Sequence, residues 1–312
     1  MMPKGQRRKP NYLLILSIMI VTGVALWSLF TNWQSGQYTL TTARQGWVTH
    51  QKEVKAVFAN TEIVLTAPVE GKVTPVQAEG KRFKKGETVA RIIPSGVDYG
   101  QSIGEVSVAA PISGLFYCNT DRLEQVITPE NFMNLDLNAL LSQVQNQKGS
   151  AAENSDAVSR LSPVGKMVNN LYPSWMFVYL EEKDKVTKGE TLKFVISGEE
   201  YAGTVMKVSG QPKGAVVRFT QYINGTTETR VQNVTWNYKP ASKGILIPLT
   251  ALCTFGEERG VYVGDDGLIR FVHVKVLDNN DSLACIEGIP EGVEVISNPR
   301  KGIEGLAIKN KI

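Results

Sequence analysis

Two histidines, His50 and His273, and three cysteines, Cys118, Cys253 and Cys285, are the side chains best suited to nucleophilic catalysis or soft-metal binding. Their spacing serves neither purpose. A structural zinc site draws its Cys and His ligands in closely spaced pairs, and these five residues are scattered. The cysteines read as free thiols, with one bridged pair as the alternative in an oxidising compartment. His273 lies in Phe271-Val272-His273-Val274-Lys275-Val276, an alternating strand pattern, and reads as a solvated or satisfied strand residue. Asp278-Asn279-Asn280-Asp281 offers the oxygen ligands that calcium takes; the plainer reading is a polar hairpin turn. Asn224-Gly225-Thr226 and Asn233-Val234-Thr235 have the form of glycosylation acceptors, a pattern that arises often by chance. No nucleophile elbow, phosphate-binding glycine loop or paired-carboxylate arrangement stands out. The expectation is a chain with no catalytic residues, no cofactor and no metal, and so not an enzyme.

Composition narrows the partners. The chain has 312 residues and a net charge of +4. Lys4, Arg7, Arg8 and Lys9 all fall in the first ten residues, so the remainder is near neutral. That leaves no broad basic field and no aromatic-basic interleaving for nucleic acid.

The basic cluster has a different use. Tyr12 to Phe30 is an uncharged, largely apolar run of 19 residues. As a helix it spans about 28 Å, close to the hydrocarbon core of a bilayer. Tyr12, Trp27 and Trp33 suit the two interfaces, and the cations ahead of the run place the N-terminus in the cytoplasm. The rival is a cleaved signal peptide, whose apolar region is shorter and ends in small residues. Leu26-Trp27-Ser28-Leu29-Phe30 is a poor cleavage site, so an uncleaved signal anchor is expected.

Elements beyond the anchor read as β. Ala67-Pro68-Val69-Glu70-Gly71-Lys72-Val73 returns as Ala110-Pro111-Ile112-Ser113-Gly114-Leu115-Phe116, 43 residues later. Each copy has an apolar strand running in, a proline where a strand begins or bends, and a glycine that permits positive φ or close backbone approach. An internal repeat of this type marks two halves of one small β unit. Residues 119–160 change character: Thr128-Pro129-Glu130 and Asp136 read as helix starts, giving short helical content over 129–147, and Gln145 to Ser159 reads as a polar loop. Downstream, Trp175 to Leu180, Thr191 to Ile196, Tyr201 to Val208 and Ala215 to Phe219 are short strands at barrel or sandwich spacing. Val261-Tyr262-Val263 and Ile269 to Val276 flank an Asp-Gly turn and read as a hairpin.

The two half-repeats resemble the biotinyl/lipoyl-type barrel-sandwich hybrid. This fold occurs in carrier domains and in membrane fusion proteins of the haemolysin-D type, the periplasmic adaptors. The carrier role implies a modified lysine at the turn between the halves, and residues 92–122 contain no lysine. The layout over nearly all the exported chain is similar to the adaptor family, including RND-type efflux adaptors. Met176 to Val205 resembles the family's barrel. Ile247-Pro248-Leu249-Thr250-Ala251-Leu252 and Gly288-Ile289-Pro290-Glu291-Gly292-Val293 resemble its last domain. In one respect the chain departs from the family: between the halves, Pro94 to Glu105 leaves no room for the usual long coiled-coil hairpin.

The resemblance implies a mainly β fold. It comprises a cytoplasmic tail (1–11), a transmembrane anchor (12–31) and lead-in strands (32–60). A lipoyl-like hybrid follows (61–171, with a short helical or loop insert at about 119–160), then a β-barrel (172–240) and a membrane-proximal-like β-domain (241–312). It implies an adaptor at the inner membrane, single-pass, with its bulk extracytoplasmic. The implied partners are the lipid bilayer, further copies of itself and an inner-membrane export transporter, with no nucleic acid. The alternative is a non-transport structural protein of the envelope, tied to division or wall assembly, on the same fold.

Overall fold

The computed structural model describes residues 19–27, 38–95, 104–134, 136, 157–300 and 302–308. The chain is almost wholly β. Strands β1 (Leu40–Thr42) and β2 (Arg44–Ala59) lead in. There follow β3 (Glu62–Thr66), β4 (Gly71–Pro75), β5 (Arg82–Phe83), β6 (Thr88–Pro94), β7 (Val106–Ala109), β8 (Gly114–Tyr117), β9 (Ala157–Val158) and β10 (Pro163–Val168). Next come β11 (Trp175–Tyr179), β12 (Thr191–Ile196), β13 (Glu199–Gly210), β14 (Lys213–Phe219) and β15 (Val231–Pro248). The last are β16 (Cys253–Phe255), β17 (Glu258–Asp265), β18 (Leu268–His273), β19 (Lys275–Asn279), β20 (Leu283–Glu287) and β21 (Glu294–Ile296). Two compact units result: Gln51–Tyr238, and Met1–His50 together with Lys239–Ile312. The 240/241 boundary read from the sequence therefore falls inside β15.

Within Gln51–Tyr238, β3 to β10 form two four-stranded sheets, ordered β3-β10-β8-β5 and β7-β6-β4-β9. One core lies between them, with Leu65, Phe83, Phe116 and Met167 from the first sheet and Val89, Ala90, Ile92 and Val108 from the second. Phe83 and Phe116 meet edge to face at 6.1 Å, the geometry that aromatic quadrupoles favour.

The same unit holds a closed barrel. Its strands run β12-β13-β14-β11-β2-β15, and β15 closes onto β12 through Lys193↔Asn237 to Val195↔Thr235. Alternation does the work expected of it. Leu192, Phe194 and Ile196 of β12 point inward with Val205, Val217, Val234 and Trp236, while Thr191 and Lys193 are exposed. Residues Gln51 to Ala59, read from the sequence as lead-in, are a barrel stave paired with β11 from Ala56↔Val178 to Ala59↔Trp175.

In the other unit β1 pairs with β21, Leu40↔Ile296 to Thr42↔Glu294, so the first and last described strands share a sheet. Ala43, Ile247, Val261, Val263, Ile286 and Val295 form its core. The β17–β18 hairpin closes on Asp266 (φ 49°) and Gly267 (φ 81°), with Asp265 opposite Leu268. Positive φ at both loop positions is what a type I′ turn requires, as the Asp-Gly pair predicts.

Two expectations meet the structure differently. Thr128 opens a single capped turn: its Oγ1 accepts from the Asn131 amide at 3.2 Å and its carbonyl from the Phe132 amide at 2.9 Å. No helix follows over 129–134; these are turns. Asn131 and Asn134 are poor helix formers, and one turn is enough to bury Phe132. The rest of the expected helical insert, 137–147, lies outside the described residues. Residues 19–27 of the expected anchor Tyr12 to Phe30 are helical, and the remainder of that run lies outside the described residues. Among the described residues, no helix is long and apolar enough to cross a membrane.

Candidate functional site

The hybrid's repeat motifs sit at the places where the chain changes sheets. β3 enters one sheet, and Ala67-Pro68 carries the chain across to β4 in the other; β7 and Ala110-Pro111 make the same crossing in reverse to β8. Ala67 and Ala110 are buried. Each is clamped by two backbone hydrogen bonds. The Ala67 amide donates to Ser162 O and its carbonyl accepts from Leu161 N; the Ala110 amide donates to Glu87 O and its carbonyl accepts from Gly86 N. Gly71 and Gly114 have ordinary φ values, so their role is close approach. A Cβ on Gly71 would lie 2.1 Å from Ile93 O, and one on Gly114 2.2 Å from Val168 O.

These contacts extend the repeat beyond its two seven-residue copies. β5 pairs Phe83↔Gly114 as β9 pairs Val158↔Gly71. The turn Lys84-Lys85-Gly86-Glu87 before β6 corresponds to Ser159-Arg160-Leu161-Ser162 before β10. The second half is thus interrupted between β8 and β9 by residues 118–156, where the first half has only residues 76–81. No identity links the two turns, and sequence reasoning missed the correspondence for that reason.

A buried charge cluster joins the hybrid to the barrel beside this interruption. Arg230, just before β15, donates from Nη2 to Glu62 Oε2 on β3 at 2.6 Å. It reaches Asp121 with Nε (2.5 Å) and Nη2 (3.2 Å), and Phe58 O on β2 with Nη1 (3.3 Å). Lys166 on β10 lies 3.4 Å from both Glu62 Oε2 and Glu124 Oε1. The side chains of Arg230, Glu62, Lys166 and Glu124 are 5%, 1%, 3% and 1% exposed, too deep for solvent to screen them. Burial alone would push the Asp121 carboxyl up, but the Arg230 guanidinium outweighs it and holds the carboxyl below its ordinary range. Burial likewise works against the Arg230 charge, and Glu62 and Asp121 more than restore it. None of these five residues carries a sequence motif; they lie up to 168 positions apart.

The sequence's chemical candidates resolve into structural roles. Asp278 is buried on β19; Lys239 Nζ, His50 Nε2 and Ser242 Oγ contact its carboxylate at 2.6–2.7 Å, and the Asn279 amide adds a fourth bond. Lys239 foremost, then His50, holds its carboxyl well below the usual range. Asn280 Oδ1 accepts from the Ser282 and Leu283 amides and closes the turn. That arrangement is the polar hairpin and leaves Asp278 engaged. His273 is largely solvated, with Nδ1 2.7 Å from Glu258. The three cysteines are free thiols. Burial, then the neighbouring Glu79, pushes the Cys118 thiol up to about 11. Among the described residues, no group of three His, Cys, Asp or Glu side chains is placed to hold a metal ion.

No curated protein matches the sequence. Among solved structures, ZneB from Cupriavidus metallidurans is 13% identical, with 86% of this chain and 94% of that one aligned at a TM-score of 0.27. MacA from Actinobacillus actinomycetemcomitans is 12% identical, with 84% and 100% aligned at a TM-score of 0.36. Residues 62–169 match the family described as RND related, barrel-sandwich hybrid domain. That span runs from the first residue of β3 to one residue past β10, the two sheets described above. Over those residues the chain is therefore similar to the RND-related barrel-sandwich hybrid domains.

Proposed function

We propose that this protein is a membrane-anchored adaptor that couples to an export transporter in the cell envelope. The observation that carries the reading is the RND-related hybrid at 62–169, followed in the chain by a closed barrel. Tyr12 to Phe30 would be the single-pass anchor, with the basic N-terminus in the cytoplasm and the bulk of the chain outside. Its described part supports this: Met19, Ile20, Val21, Val24, Leu26 and Trp27 are 60–74% exposed on the helix at 19–27, apolar surface that a bilayer would cover. Copies would stand side by side and present strand edges and loops, so the role is architectural. The repeat residues Ala67, Pro68, Gly71, Ala110, Pro111 and Gly114 would maintain the hybrid's shape and touch no ligand.

The test is purification of the full chain from its own membranes in mild detergent. Co-purification of a membrane transporter supports the reading; a strictly monomeric protein that brings down no membrane protein overturns it. One observation favours a second reading. β6 ends at Pro94 and β7 begins at Val106, so the connection between the halves is far too short for the family's docking hairpin. A non-transport structural protein of the envelope, serving division or wall assembly, would dispense with that arm. A transporter gene beside this one favours the first reading, and division genes favour the second.

A further inference from the structure

The barrel wall outside β2, β11 and β14 is apolar, and residues 119–134 cover it. Val57 and Ala59 of β2, Phe177 of β11 and Val216 of β14 point away from the barrel interior. Leu123, Ile127 and Phe132 bury themselves against them, at 3%, 0% and 1% exposure. Phe58 and Ala56, the inward neighbours on β2, belong to the barrel core. Ala56 to Ala59 of β2 are therefore buried on both faces, where an outer barrel stave ordinarily keeps one face in water.

The segment doing this covering belongs to the other domain. It leaves the hybrid after β8 and interrupts the hybrid's second half. Its charges hold both domains at once. Asp121 takes Arg230 at the head of the barrel strand β15, and Glu124 takes Lys166 on the hybrid strand β10. Arg230 in turn holds Glu62 on the hybrid strand β3. At the far end, Lys207 Nζ of barrel strand β13 donates to Met133 O at 2.6 Å. Hybrid and barrel accordingly fall in one compact unit, Gln51–Tyr238.

We propose that residues 119–134 are a strap that fuses hybrid and barrel into one cooperative body, with the Asp121–Arg230–Glu62–Lys166–Glu124 cluster as its fastening. A displacement of the hybrid would then pass to the barrel directly and would not be absorbed at the 169–174 junction. The strap is a property of the fold and does not depend on which partner the protein serves.

Hydrogen exchange on the full chain in detergent tests this. Two mild variants loosen the strap in different ways. Asp121→Asn removes the charge that grips Arg230, and Phe132→Leu thins the apolar anchor. Three amides report on the junction: Asn169 bonded to Thr61 O, Ser174 to Gln221 O and Phe219 to Ser174 O. Both variants are expected to speed exchange in 119–134 and at these junction amides together, by roughly tenfold, since local opening is then cheaper. The hybrid core strand β6 should keep its protection. If the variants speed exchange only within 119–134 and leave the junction amides unchanged, the strap is a passive cover and the proposal fails. If they also release β6, the segment supports the hybrid as a whole rather than its tie to the barrel, and the proposal fails in that case too.

Discussion

Leu161→Gly should stabilise the protein, although it deletes a large apolar side chain. Leu161 occupies the position that Gly86 fills in the other half of the hybrid. Gly86 has φ 89° and donates to Ala110 O; Leu161 has φ 69° and donates to Ala67 O. The same backbone clamp recurs at Gly189 on Val205 and at Gly292 on Ala43. A left-handed conformation costs an L-residue about 1–2 kcal/mol. The Leu161 side chain is 71% exposed, so little burial is lost in exchange. Glycine's extra freedom in the unfolded chain takes back about 0.5–1 kcal/mol. The net expectation is a gain of roughly 0.5–1 kcal/mol, or about 1–4 °C in Tm for a unit of this size. Thermal melts of the full chain in detergent, followed by circular dichroism, measure it. Leu161→Ala is the control, because it removes the side chain and keeps the backbone penalty; it should move Tm little. Gly86→Ala is the mirror experiment. No atom lies within 4 Å of the added Cβ, so its cost is conformational alone, about 1 kcal/mol. A Leu161→Gly protein that melts no higher than Leu161→Ala would refute the reasoning.

Three other outcomes follow from the same geometry. Gly114→Ala places a methyl 2.2 Å from Val168 O; the backbone must give way, and urea unfolding should show a loss of roughly 2–3 kcal/mol. Lys166→Met strips the cation from between Glu62 and Glu124, both 1% exposed, and should cost about 3–5 kcal/mol in the same assay. Asp278 has its carboxyl depressed by Lys239 and His50, so its contribution is full above the unfolded value of about 3.9 and fades as the pH falls below it. The Tm gap between wild type and Asp278→Asn should therefore be constant near neutral pH, begin to narrow only below that value, and close as the pH falls on towards the depressed folded value; a gap that already closes well above the unfolded value would contradict the assignment.

The hybrid was legible because its repeat is local: Ala-Pro-x-x-Gly marks each sheet crossing within seven residues. What the pattern left open was the role of the glycine. Only the facing carbonyls of Ile93 and Val168 show that both glycines serve close approach and not positive φ. The barrel's middle staves were equally legible: β12 and β13 alternate, and β11 and β14 are short runs rich in aromatic and β-branched residues. Its other two staves, β2 and β15, were not. Gln51 to Ala59 reads as strand, but only its long-range pairing with β11 makes it a stave, and β15 likewise closes onto β12 from more than 35 residues away. The helix expected after Thr128 is not formed over the described residues 129–134. Its cap was read correctly, but Asn131 and Asn134 disfavour a helix and a single turn already buries Phe132.

Sequence by itself determined the β character, the repeated half-unit, the Asp266-Gly267 hairpin and the lack of a motif for catalysis. Each of these depends on residues a few positions apart, whose steric and polar preferences act without knowledge of the fold. Only the tertiary structure decided which distant residues meet. Leu40 pairs with Ile296, His50 with Asp278, and Arg230 with Glu62 and Asp121. A buried charge finds its counter-charge wherever packing delivers one, and nothing in the local chain records that choice.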